Sequence, residues 1–102
     1  MPRFYDPVMD QEARSAVLKK FGVRLAMLRK SKNLSQEELA HQSGVARSYL
    51  SGVERGKRNT ALAHICLLAE TLGVRPYLLL DFDGELDVAT VGQASQPDSD
   101  AV

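Results

Sequence analysis

Two helix-boundary signals set close together constrain this chain more than any other feature. Ser35, followed three residues on by Glu38, has the form of a capping box: the serine hydroxyl accepts a backbone N–H, and the carboxylate reaches back to the serine N–H. A helix therefore starts at Ser35. It has room to run only to about Ser43, because Gly44 is the residue type that enters a positive-φ turn without a Cβ clash. A third helix is expected at once, from about Ala46 to Arg55, with Gly56 as its stop. Two helices this short cannot make a core by themselves, so the rest of the fold must be built around them.

The flanking sequence supplies that core. From Asp10, an N-cap residue, to Lys32 the pattern is helical, with Leu18, Phe21, Leu25 and Leu28 recurring on one face. Gly22 lies inside this stretch and costs roughly 1 kcal/mol relative to Ala, which marks a place where the helix can break. Asn33 suits a left-handed stop. Thr60 is expected to cap a fourth helix running to Leu72, with Leu62, Ile65, Leu68, Ala69 and Leu72 inward, Cys66 filling the core beside them, and Gly73 as the stop. Pro76 fits the first turn of a short last helix, from Arg75 to Leu80. The expectation is an all-α domain of five helices. A short strand at 87–91 (DVATV) is the one weak alternative to helix or coil.

The expected organisation is an N-terminal arm over 1–13, a folded domain over 14–81, and an acidic, largely flexible tail over 82–102. At 102 residues the chain has room for one domain only. No apolar run approaches a membrane span and the first residues do not resemble a signal peptide, so a cytoplasmic location is expected. Cys66 is the single cysteine, which excludes an intrachain disulfide, and no residues have zinc-site spacing. His64 and Cys66 are two apart on a helix and point to different sides, and His41 and His64 read as exposed polar residues. No nucleophile or acid–base constellation emerges, so an enzyme is not expected, nor a cofactor, a metal or a small-molecule ligand.

A net charge of zero conceals a strong segregation. Residues 14–75 hold twelve Lys or Arg against four acids, whereas 76–102 hold six acids and no base. A basic middle suits a polyanionic partner. The third helix is amphipathic to match: at roughly 100° per residue, Arg47, Ser51, Arg55, Ser48 and Gly52 fall within one arc of about 140°, with Ala46, Tyr49, Leu50 and Val53 opposite. Two short helices around a tight turn, with a polar face on the second, have the layout of a DNA-binding helix-turn-helix.

The residues carry more than the layout. Residues 35–56, SQEELAHQSGVARSYLSGVERG, with KRN at 57–59 and LAETLGV at 68–74, closely resemble the phage-repressor and Cro-like (XRE) helix-turn-helix family. The resemblance spans about residues 18–80 and implies a lambda-repressor-like domain that regulates transcription by binding double-stranded DNA in a sequence-specific way. On that footing Arg47, Ser48 and Ser51 are expected to touch base edges, with Arg47 suited to guanine O6 and N7 together. Arg55, Lys57 and Arg58 would lie along the phosphate backbone. Gln36 corresponds to a family glutamine that bonds phosphate, and Tyr49 either sends its hydroxyl to a phosphate or simply packs. Ala40 and Gly44 match the small residues where helices 2 and 3 cross. Arg29 and Glu54 match a partly buried ion pair joining helix 1 to the end of helix 3.

Two positions depart from the family pattern. Ala46 stands where Ser or Thr often begins helix 3, and Gly52 stands where a longer polar residue offers a base contact. Homodimeric binding to a palindromic operator is expected because one recognition helix reads only a few base pairs. Tyr77, Leu78, Leu80 and Phe82 are the candidate dimer surface, or equally the last layer of the protomer core. Repression, activation and controller-type autoregulation of a restriction-modification operon remain open. The competing reading is an antitoxin-like or adaptor module that uses the same fold to hold another protein.

Overall fold

The structure is a computed structural model that describes residues 9–82. Expectations for residues 1–8 and 83–102, the strand at 87–91 included, lie outside the described residues. Five helices follow one another: α1 (Gln11–Ser31), α2 (Gln36–Ser43), α3 (Arg47–Glu54), α4 (Leu62–Leu72) and α5 (Tyr77–Leu80). The protein is thus all-α among the described residues, and none of these helices is long and apolar enough to cross a membrane.

α1 begins where Asp10 Oδ1 accepts from the Ala13 N–H at 2.8 Å, and it ends ahead of Asn33, whose φ of 61° turns the chain left-handed. It does not break at Gly22. The glycine is there for packing: a Cβ at position 22 would lie 2.4 Å from the Glu54 carbonyl oxygen and 2.6 Å from that of Val53. Only a residue without a side chain lets α1 cross the end of α3 this closely, and the helix accepts the propensity cost in return.

The core gathers Phe21, Leu25 and Leu28 from α1, Leu39 and Ala40 from α2, Leu50 and Val53 from α3, and Leu68, Ala69 and Leu72 from α4. Val74, Leu78 and Leu79 close it from the C-terminal side. Each fully buried leucine contributes about 1.5–3 kcal/mol relative to its exposed state, and this layer holds the short helices together.

The structure corrects three expectations for α4. Ala61, not Thr60, is the N-cap residue, and it makes no side-chain capping bond. Leu62 is 72% exposed and Cys66 is exposed as well, so neither belongs to the core. Cys66 sits about 110° around the helix from the centre of the Leu68–Ala69–Leu72 arc. Helical spacing gave the apolar stripe correctly but not how far along it the neighbouring helices reach.

Arg24 and Arg29 correct the charge argument. Both are buried, and neither contributes to a basic surface. The Arg24 Nε–H donates to the Leu78 carbonyl at 2.7 Å, tying the middle of α1 to α5. A charged donor on a buried carbonyl is among the stronger hydrogen bonds, worth roughly 1.5–3 kcal/mol.

Candidate nucleic-acid interface

The α2–α3 pair is built from its boundaries inward. At the start of α2 the Glu38 N–H donates to Ser35 Oγ at 3.0 Å, and the Ser35 N–H donates to Glu38 Oε1 at 2.8 Å, completing the capping box. Those bonds hold the Glu38 carboxyl below its ordinary value, the backbone N–H of Ser35 being the larger cause and its side chain the smaller. Gly44 takes φ 81°, and its N–H returns to the Ala40 carbonyl at 2.8 Å. The turn is therefore closed by the backbone, and α3 leaves it in a fixed direction. Its N-cap, Ala46, has the extended backbone of a cap but no side chain able to accept.

α3 divides as its residues dictate. Leu50 and Val53 are buried, Arg47 and Ser48 are exposed, and Ser51 is half-buried beside them. Arg47, Ser48 and Ser51 line one open recess on the outer flank. The C-terminal end is closed by a paired reversal: the Gly56 N–H bonds the Val53 carbonyl at 3.0 Å and the Lys57 N–H bonds the Gly52 carbonyl at 2.8 Å, with Gly56 at φ 74°. Arg55, Lys57 and Arg58 are left exposed around this bend, next to the outer flank.

The position of α3 is fixed by one carboxylate. Glu54 Oε2 accepts from Arg29 Nε at 2.7 Å, and Glu54 Oε1 accepts from Arg29 Nη2 and from Gln36 Nε2, both at 2.9 Å. Arg29 Nη1 also donates to the Leu34 carbonyl at 2.8 Å. One ion pair therefore joins α1, the α1–α2 turn, α2 and α3. The hydrogen bond with Glu54 raises the Arg29 guanidinium above its ordinary value, outweighing burial, so the arginine stays charged. Gln36 lies with this pair, its amide nitrogen engaged by Glu54.

Tyr49 faces inward at its tip. Its hydroxyl is 2.6 Å from Thr60 Oγ1 and 3.3 Å from His64 Nδ1, and its ring lies 5.3 Å from the imidazole, tilted by 56°. In this arrangement the hydroxyl joins α3 to α4, which is the packing alternative and not the phosphate one. His64 is accordingly half-buried, a correction to its reading as an exposed residue, and Thr60 serves this cluster instead of capping α4.

The candidate dimer residues do not stay together. Leu78 is 2% exposed inside the protomer core, which removes it as a surface contact. Tyr77 and Leu80 are exposed, whereas Phe82 packs partly on the core and lines a recess with Val23 and Met27 of α1. Sequence reasoning missed Gly22, Arg24 and the Thr60–His64 contact with Tyr49. Gly22 alone had a signal available: a glycine on the same helical face as a core stripe marks a close crossing as readily as a break.

A small helical protein that carries a closed turn between two short helices and turns the polar flank of the second outward is a helix-turn-helix DNA-binding protein. The chain belongs to the HTH_3 helix-turn-helix family, whose model matches residues 25–79. It is 42% identical to the control protein C.BamHI of Bacillus amyloliquefaciens over 77 residues, covering 74% of this chain and 88% of that one. Among solved structures it is similar to the restriction-modification controller protein C.AhdI from Aeromonas hydrophila, with 55% identity and a TM-score of 0.62. That match covers 63% of this chain and 97% of C.AhdI. The controller protein C.Esp1396I, solved as a tetramer in complex with its natural 35 base-pair operator, is 31% identical with a TM-score of 0.59, covering 64% of this chain and 86% of that one. The protein is a transcriptional regulator of the helix-turn-helix class.

Proposed function

We propose that this protein is an operator-binding regulator of the restriction-modification controller type, a cytoplasmic homodimer that sets α3 of each protomer into the major groove of a palindromic site. The observation that carries the reading is the outer flank of α3, where Arg47, Ser48 and Ser51 line one recess while Leu50 and Val53 anchor the opposite side. Arg47 reads guanine through two parallel hydrogen bonds, and the serine hydroxyls bond base edges beside it. Arg55, Lys57 and Arg58 hold the sugar-phosphate backbone and set the register, with Gln36 bonding phosphate at the start of α2. The DNA-binding domain is residues 10–81, since Asp10 caps α1 and residues 11–13, expected in the N-terminal arm, form its first turn.

Support for the controller type comes from the likeness to C.BamHI and C.AhdI, and support for oligomeric binding from C.Esp1396I on its operator. Tyr77 and Leu80, exposed at 58% and 49%, offer the apolar surface a two-fold contact needs, and Phe82 extends it. Two recognition helices held about 34 Å apart would meet successive major-groove faces on one side of the duplex. Selection of bound duplexes from a random pool tests the reading. Two inverted half-sites about one helical turn apart, or a multiple of that, are expected. A single unpaired motif would remove the homodimer, and no enrichment at all would remove the regulator.

A further inference from the structure

Gly52 is buried although it adjoins the polar flank of α3, and the three heavy atoms nearest to where its Cβ would stand all belong to one side chain. A Cβ at position 52 would lie 2.9 Å from both Cγ and Cδ of Arg58. The reversal at Gly56 turns the chain back along α3, and the stem of Arg58 lies across the bare backbone of Gly52. The Arg58 guanidinium carbon then stands 5.2 Å from the centroid of the Tyr49 ring, whose hydroxyl is held by Thr60 and His64. The stem is packed, the head is a cation over an aromatic face, and the residue as a whole remains exposed.

We propose that Gly52 is a positioning residue: by leaving its place on α3 empty it seats Arg58 on the recognition helix, so that a cation from the following loop becomes a fixed DNA-backbone contact at the edge of the reading face. The inference rests on α3 being the element that meets DNA. A long side chain normally loses rotamer freedom when it binds, and that loss weakens the contact. Arg58 has given up much of that freedom in the folded protein, between Gly52 and the Tyr49 ring. Position 52 contributes no side chain of its own to the groove, and the loop supplies one in its place.

The test is a double-mutant cycle in the full chain, using Gly52→Ala, Arg58→Ala and the double variant, with binding measured on the selected duplex and on an unrelated one. Gly52→Ala adds a methyl whose nearest neighbours are the flexible stem of Arg58, and it removes a helix-interior glycine, so the thermal midpoint stays level or rises. Affinity for the selected duplex falls about tenfold, while affinity for the unrelated duplex changes less than about twofold, because an unseated arginine still attracts phosphate. In the Arg58→Ala background the added methyl changes affinity less than about twofold.

A Gly52→Ala protein that binds the selected duplex as the native one does overturns the proposal. So does an equal loss in both backgrounds, which would mean that DNA approaches the glycine itself. A native protein that binds no duplex defeats the functional reading, and the seat is then judged without DNA by nuclear magnetic resonance. Ring-current shifts of the Arg58 side chain that disappear in both Tyr49→Leu and Gly52→Ala support the seat, and their absence from the native protein overturns it.

Discussion

At the scale of single residues, Glu54 ties α3 to both helices that precede it. Its carboxylate accepts from Arg29 on α1 and from Gln36 on α2, in a setting where its side chain is 5% exposed and that of Arg29 is 9% exposed. An ion pair so enclosed is costly to break and much less costly to replace, since removing one partner strands the other charge. Glu54→Ala is therefore expected to lower unfolding free energy by about 3–5 kcal/mol, while the double variant Arg29→Met, Glu54→Leu costs clearly less. Urea unfolding of the native protein and the two variants checks this, and a double variant that loses as much as Glu54→Ala or more would mean that the pair is not a tie of this kind. The partnership was visible in the sequence only through family resemblance, because twenty-five residues separate its members and no local spacing connects them. Arg24 shows the opposite case. In the sequence it was one base among twelve, and nothing local distinguishes an arginine that will donate to a carbonyl of α5 from one that will face water.

At the scale of elements, the boundaries were the most legible part of the chain, because they depend on local chemistry. Ser35 with Glu38, Gly44 and Gly56 each stand where their residue type predicts, since a cap or a positive φ needs nothing from distant sequence. Packing depth was less legible. The α4 stripe included Leu62 and Cys66, which the structure leaves exposed, and Gly22 read as a break where it is a crossing point. The same cap yields a pH prediction. Glu38 titrates below its ordinary value of 4.5, so its ionised form favours the folded state. That contribution is present above the unfolded value and disappears as pH falls through the lowered folded value. Glu38→Gln keeps an acceptor in the capping box but cannot titrate, so its stability should decline less steeply than that of the native protein below about pH 4.5. Parallel slopes in chemical unfolding across that range would count against the capping role.

At the scale of the whole molecule, the fold works as a mount for one helix. α1 carries the ion pair and the glycine crossing, α2 and its turn set the entry of α3, and α5 is tied to α1 through Arg24. That division makes the oligomer testable apart from the fold. Leu80→Glu alters a side chain 49% exposed on α5, so helical content should persist while sedimentation shifts toward monomer and operator affinity falls by at least about tenfold. A dimer that survives the substitution would place the interface elsewhere. The class of protein and the outward polar arc of α3 were legible from the spacing of α3 and the motif around it, whereas the split among the α5 residues, with Leu78 inside and Tyr77 and Leu80 outside, required the assembled core. Operator recognition depends on the outer flank of α3, and Arg47→Ala tests this most directly. Arg47 is exposed and makes no contact on which the core depends. The variant should unfold at the native midpoint and lose its preference for the selected duplex by at least about tenfold, keeping its weak binding to unrelated DNA. Undiminished preference in a folded Arg47→Ala protein would contradict the claim that this face reads DNA.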